Sequence, residues 1–190
     1  EHVDNFLRMG GVSRMDHLHL SLTVQQTLTA VRARLPWLMV GLGGGFLASG
    51  VASAYETSLK NEVALAFFLP LVVYMADAVG TQTETVLVRR LAYGEVSLWE
   101  QLARESVIGA SIGVIVAIVA SGGLWLWNGH PALAVVVGAS LGVTAVVATI
   151  MASLLPMGLA RLGADPALAS GPVATVVQDI LSVGIYLMIA

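Results

Sequence analysis

The chain has 190 residues, of which 57 % are hydrophobic and 11 % charged, with a net charge of −3 and no cysteine. Soluble domains carry about 25 % charged residues, so a surface this poor in charge has to face lipid. The lack of cysteine excludes a disulfide framework, a thiolate metal site and a cysteine nucleophile, and the negative balance argues against a nucleic-acid partner.

Residues 1–35 are polar and charged and lack the apolar core of a signal peptide. They read as a separate cytoplasmic region. The chain opens on Glu1 rather than Met, which predicts a preceding segment. Val3, Phe6, Leu7 and Met9 predict a short amphipathic helix ending at Gly10-Gly11. A second helical stretch is expected from about Ser21 to Arg34. A region of this kind lies on the membrane surface or serves as a gate or connector to a soluble domain.

Residues 36–190 predict an all-α integral membrane domain of five transmembrane helices. Five segments, at roughly 36–56, 63–88, 106–128, 131–157 and 171–190, reach the length of about 20 apolar residues that a bilayer demands. Pro36 is expected to open the first, where a missing N–H costs nothing. Asn128-Gly129-His130-Pro131 separates the third from the fourth, and Gly163-Ala164-Asp165-Pro166 follows the fourth. Arg8, Arg14, Arg32, Arg34, Arg89, Arg90, Arg104 and Arg161 fall on one side of this arrangement, and Lys60 alone falls on the other. The positive-inside rule then places the N-terminus in the cytoplasm and the C-terminus outside a cell membrane. Trp125 and Trp127 fall near the outer interface, where amphipathic aromatics concentrate.

Small residues recur at a spacing of four: Gly41, Gly45, Ser49 and Ser53 in the first span, Gly109 and Gly113 in the third, Gly138 and Gly142 in the fourth. Such stripes let helix backbones approach closely in lipid. The spacing is equally suited to contacts within a subunit and between subunits.

Charged groups inside membrane helices cost roughly 2.5–3.5 kcal/mol each and mark function. Asp77 and Glu84 in the second span and Asp179 in the fifth are such groups. At a rise of about 1.5 Å per residue, Asp77 lies about 18 Å, Glu84 about 8 Å and Asp179 about 12 Å from the inner ends of their helices. All three can line one path. Asp77, Thr81 and Glu84 stand at i, i+4 and i+7, on one helical face, and Thr175 stands four before Asp179 on another. No Lys or Arg lies at that depth, so the carboxylates need a proton, a metal ion or a water-filled cavity. A protonated Asp179 hydrogen-bonded between helices and a Glu84 reaching toward Arg89 are the structural alternatives.

Oxygen ligands without intramembrane His or Cys suit hard cations such as Mg²⁺, Ca²⁺ or Mn²⁺. So few protein ligands suit Mg²⁺ in particular, which keeps much of its hydration shell. Pro70 and Pro172 each precede an acid by seven residues, and a proline within a membrane helix frees carbonyls that can line a path.

The stretch Pro70-Leu-Val-Val-Tyr-Met-Ala-Asp-Ala-Val-Gly-Thr-Gln-Thr-Glu-Thr85, followed by Val88-Arg89 and Gly94-Glu95, resembles the second-helix signature of the MgtE family of Mg²⁺ channels and transporters. Asp165-Pro-Ala-Leu-Ala-Ser-Gly-Pro172, with Thr175 and Asp179, resembles the family's fifth-helix motif. Arg32-Ala-Arg-Leu-Pro-Trp37 resembles its approach to the first helix, and Phe6-Leu-Arg-Met-Gly-Gly-Val12 resembles the helix that plugs its cytoplasmic mouth. The resemblance implies a homodimer of five-helix subunits around a central pore, with two copies of Asp179 facing one hydrated Mg²⁺. It also implies a preceding cytoplasmic Mg²⁺-sensing part with CBS domains, which this sequence does not contain.

The sequence departs from the family in one element. Ala76, Asp77 and Ala78 stand where the family has Gly-Gly-Asn, so a carboxylate is gained as an amide is lost. An added carboxylate can bind a second ion, strip water from the first or take up a proton.

These residues predict passage of Mg²⁺, or of another divalent cation, through a carboxylate-lined pore. Asp179 is the main metal site and Asp77 the second, with Gly80, Thr81, Glu84 and Thr175 lining the path. A proton-coupled divalent exchanger and a membrane anchor or assembly module, whose acids only pack helices, stay open beside this. The spans hold no His and no nucleophile–base pair, so an enzyme is not expected.

Overall fold

The computed structural model describes residues 24–94, 96–163 and 171–190, and these form six helices. In chain order they are α1 (Val24–Ala54), α2 (Glu56–Asn61), α3 (Ala64–Tyr93), α4 (Leu98–Asn128), α5 (Pro131–Arg161) and α6 (Pro172–Ile189). The amphipathic helix expected near the N-terminus and the motif around Asp165 lie outside the described residues. Four helices, α1, α3, α4 and α5, are long and apolar enough to cross a membrane. The fifth expected span, α6, has 18 residues and is the shortest of the apolar helices.

Two expectations about proline are corrected. Pro36 does not open the first span. It lies inside α1, which runs without a break from Val24, so residues 24–34 of the separately expected helical stretch are continuous with the first span. The Gln, Leu, Ala and Arg residues before Pro36 favour helix strongly enough to continue through one lost backbone hydrogen bond. Pro172, by contrast, begins α6, where it frees no carbonyl, whereas Pro70 sits within α3. In the connection expected between the first two spans, Glu56–Asn61 winds into the short helix α2, with Lys60 paired to Glu56.

Helix α5 is the centre of the bundle. It packs against α4, α3 and α6, while α1 makes its main contact with α6. Small residues explain why α4 and α5 share the most extensive contact. A β-carbon on Gly113 would stand 2.7 Å from the Gly142 carbonyl oxygen, and one on Gly138 would meet Ser121 and stand 2.9 Å from the Ala117 carbonyl oxygen. The Ser121 hydroxyl donates across this seam to the Ala134 carbonyl at 2.9 Å. The stripes of the third and fourth spans are therefore spent within one subunit. On α1, Gly45 has no described residue within reach of a β-carbon, and Gly44, outside the stripe, rests on Val176 instead.

The buried hydroxyls of α5 need no partner on another helix. Ser140, Thr144, Thr149 and Ser153 each donate to a carbonyl three or four residues earlier, which lets polar residues sit in the core without an orphaned group. The apolar core proper occupies one end of the bundle, where α3 begins and α6 finishes. Leu65, Val72, Leu133, Val137, Leu141, Val183 and Leu187 cluster there around a fully buried Tyr186. The Tyr186 hydroxyl donates to the Leu65 carbonyl at 2.8 Å. The acids lie beyond this core, Asp77 at the middle of α3, Glu84 further toward its end, and Asp179 in the first half of α6.

Candidate functional site

The site is built from two helices that pack against each other and against α5. On α3 the heptad-like spacing of Asp77, Thr81 and Glu84 sets their side chains along one side of the helix. On α6, Thr175 and Asp179 are one turn apart. Asp77 and Asp179 are half-buried, Thr81 and Thr175 are exposed on the single chain, and Gly80 and Glu84 are buried. The three acids are thus carried on two helices that pack against each other. Among the described residues the only ion pair is that of Lys60 with Glu56, so none of the three has a basic partner. Nor do any three acid or histidine side chains among the described residues converge into a ready-made metal cage.

The packing between the two helices depends on one glycine. Gln178, buried at 3 % exposure, lays its amide against Gly80 so closely that a β-carbon there would overlap it. Glu84 follows Gly80 by one turn and is 3 % exposed. One oxygen of Glu84 and the oxygen of Gln178 are both buried with no hydrogen-bond donor. Two acceptors cannot satisfy each other. Each calls for a proton, a water or a cation, because an unpartnered buried polar atom costs about 1–3 kcal/mol. The Thr85 hydroxyl is unavailable for this purpose, since it donates to the Thr81 carbonyl at 2.8 Å. Ser182 likewise donates to the Asp179 backbone carbonyl at 3.1 Å.

A fourth acid escaped the reading of the sequence. Glu105, near the start of α4, is 4 % exposed. Its carboxylate accepts from the Thr83 hydroxyl at 3.3 Å and from the Gln101 amide at 3.2 Å. Gln101 in turn accepts from an Arg90 guanidinium nitrogen at 2.9 Å. Both oxygens of Glu105 are thus occupied, in contrast to Glu84. The available signal was the i, i+4 spacing of Gln101 and Glu105, opposite a Thr and an Arg on the preceding helix.

Comparison with known proteins gives the family. The family model MgtE, described as a divalent cation transporter, matches residues 69–189. The magnesium transporter MgtE of Bacillus subtilis is 38 % identical over 168 residues, covering 85 % of this chain and 36 % of that protein. Its namesake from Thermus thermophilus is 33 % identical over 161 residues, covering 83 % and 36 %. That of Enterococcus faecalis is 36 % identical over 174 residues, covering 87 % and 37 %. The chain spans about a third of the length of these curated relatives. The matched region takes in α3 from Leu69 onward, α4, α5 and α6, and with them every acid of the site. This multi-pass membrane chain belongs to the MgtE family of divalent cation transporters.

Proposed function

We propose that the chain forms a transmembrane path for a divalent cation, Mg²⁺ first, with two copies meeting around the pore. The observation that carries this reading is the trio Asp77, Glu84 and Asp179, embedded in apolar helices with no basic partner among the described residues. Asp179 is the main ion site and Asp77 the second carboxylate. Gly80, Thr81, Glu84 and Thr175 line the same path. A two-fold pair of chains brings two Asp179 carboxylates to one ion, which supports the dimer, because one chain holds no metal cage among its described residues. Few carboxylates suit an ion that keeps its water, as Mg²⁺ does. The names of the relatives, magnesium transporters, support the same ion.

The test is Mg²⁺ flux into liposomes holding the protein, with and without Asp179→Asn, at matched pH. The parent conducts and the variant loses at least tenfold of the flux. Equal flux from the two overturns Asp179 as the ion site, and a silent parent favours a membrane anchor whose acids only pack helices.

A second reading, divalent transport coupled to protons, is favoured by Glu84, whose buried oxygen lacks a donor. Flux that needs or builds a pH gradient supports it. Flux indifferent to such a gradient leaves a simple channel.

A further inference from the structure

A second polar feature lies away from the acids, where α3 ends and α4 begins. A cavity of about 710 Å³ opens there, and Arg89, Arg90 and Arg104 line it together with Tyr93, Glu100 and Gln101. Three guanidiniums face a single carboxylate, that of Glu100, among the described lining residues. None of the three forms an ion pair with a described residue. Arg90 is held by Gln101 at 2.9 Å, and Gln101 is 2 % exposed, so one wall of the cavity is anchored in the core. Arg89 and Arg104 are exposed and make no hydrogen bond among the described residues. The first turn of α4 has no side-chain cap and carries Glu100, the acid that opposes the three arginines.

The cavity stands at the ends of two helices apolar enough to span a membrane. Tyr93 on its rim is 85 % exposed, and Trp99, beside it at the start of α4, is 79 % exposed. Exposed Tyr and Trp at span ends mark the level of lipid headgroups. Val86, one to two turns deeper along α3, also lines the cavity and gives it an apolar side. A basic pocket between membrane helices at headgroup depth is the arrangement that takes a lipid phosphate.

We propose that this cavity binds the headgroup phosphate of an anionic phospholipid, with Arg89 and Arg104 as the free ligands and Arg90 as the anchored one. The site is separate from the ion path and does not depend on the transport reading. It does touch α3 through a chain of contacts, from Arg90 to Gln101 to Glu105 to Thr83, the residue before Glu84.

The test is lipid binding by the detergent-purified protein, read by native mass spectrometry and by the shift in thermal unfolding as phosphatidylglycerol is titrated. Phosphatidylcholine and inorganic phosphate serve as the comparison ligands. Saturable binding of phosphatidylglycerol, at least tenfold tighter than phosphatidylcholine, is the expected result. The double substitution Arg89→Gln/Arg104→Gln weakens it at least tenfold. Lys60→Gln, at the other end of the bundle, leaves it unchanged. Glu100→Gln removes the opposing acid, breaks no described contact and tightens binding, which keeps the test decisive even if the arginine pair folds poorly. Undiminished binding by the double variant overturns the site. So does equal binding of the two lipids, or no gain in Glu100→Gln. Displacement of the lipid by equimolar inorganic phosphate overturns the lipid as the ligand and assigns the cavity to a soluble phosphate.

Discussion

The amide of Gln178 on α6 occupies the space that a β-carbon on Gly80 of α3 would need, so the two acid-bearing helices meet where one of them has no side chain. The neighbouring residue on α6 is Asp179, and the residue one turn along α3 is Glu84. Gly80→Ala therefore forces a buried glutamine to move beside the proposed ion site. Overpacking of this kind costs about 1–3 kcal/mol. Thermal unfolding of the purified protein is expected to fall by that amount for Gly80→Ala and to recover in Gly80→Ala/Gln178→Ala, as a double-mutant cycle detects. Additive losses in the double variant would show that the contact does not govern the packing.

The α4–α5 seam and the outer face of α1 carry similar small-residue stripes with opposite predicted sensitivities. Gly113→Ala sets a methyl group against the Gly142 backbone oxygen, which cannot swing aside. It is expected to destabilise by about 1–3 kcal/mol. Gly45→Ala meets nothing among the described residues and gains helix propensity, so its effect stays within about 0.5 kcal/mol of the parent or is favourable. Denaturation of both variants in the same detergent checks the contrast.

Tyr186 closes the apolar end of the bundle. Tyr186→Phe keeps the ring in the core and removes one hydrogen bond to Leu65. Loss of about 0.5–1.5 kcal/mol is expected, near the lower figure if the membrane value of about 0.6 kcal/mol applies. Tyr186→Ala opens a cavity as well and costs about 3–5 kcal/mol. A Phe variant as unstable as the Ala variant would show that the hydroxyl, rather than the ring, holds α6 against α3.

The two buried glutamates are expected to respond in opposite ways. Glu105→Ala strips partners from Thr83 and Gln101 and costs about 1–3 kcal/mol. Glu84→Gln replaces a carboxylate that lacks a donor, so folding stability holds within about 0.5 kcal/mol or rises. Mg²⁺ flux, in contrast, drops in Glu84→Gln if that group lines the path. Stability and flux measured on both variants separate a structural acid from a transporting one.

Much of this architecture was legible because lipid imposes severe rules on sequence. A membrane span must be long and apolar, so α1, α3, α4 and α5 declared themselves by length and hydropathy. A carboxylate in such a span has nowhere to hide, so Asp77, Glu84 and Asp179 stood out without any knowledge of the fold. The motifs around Pro70 and Asp179 pointed to the family that the comparisons then showed.

Tertiary structure decided what periodicity leaves degenerate. Glycine spacing looks the same whether a stripe meets its own chain or open space. Only the packing shows that Gly113 and Gly138 are spent on the α4–α5 seam while Gly45 meets no described residue of its own chain. Proline looks the same at a helix start and within one, and neighbouring propensities settled Pro36 and Pro172 differently. A glutamate at the mouth of a span looks like a surface charge until Thr83 and Gln101, the latter held by Arg90, close on Glu105. Local sequence sets which groups are costly in lipid, because that cost depends on the residue and its depth. Which groups find partners depends on helices far apart in the chain, and only their packing brings those together.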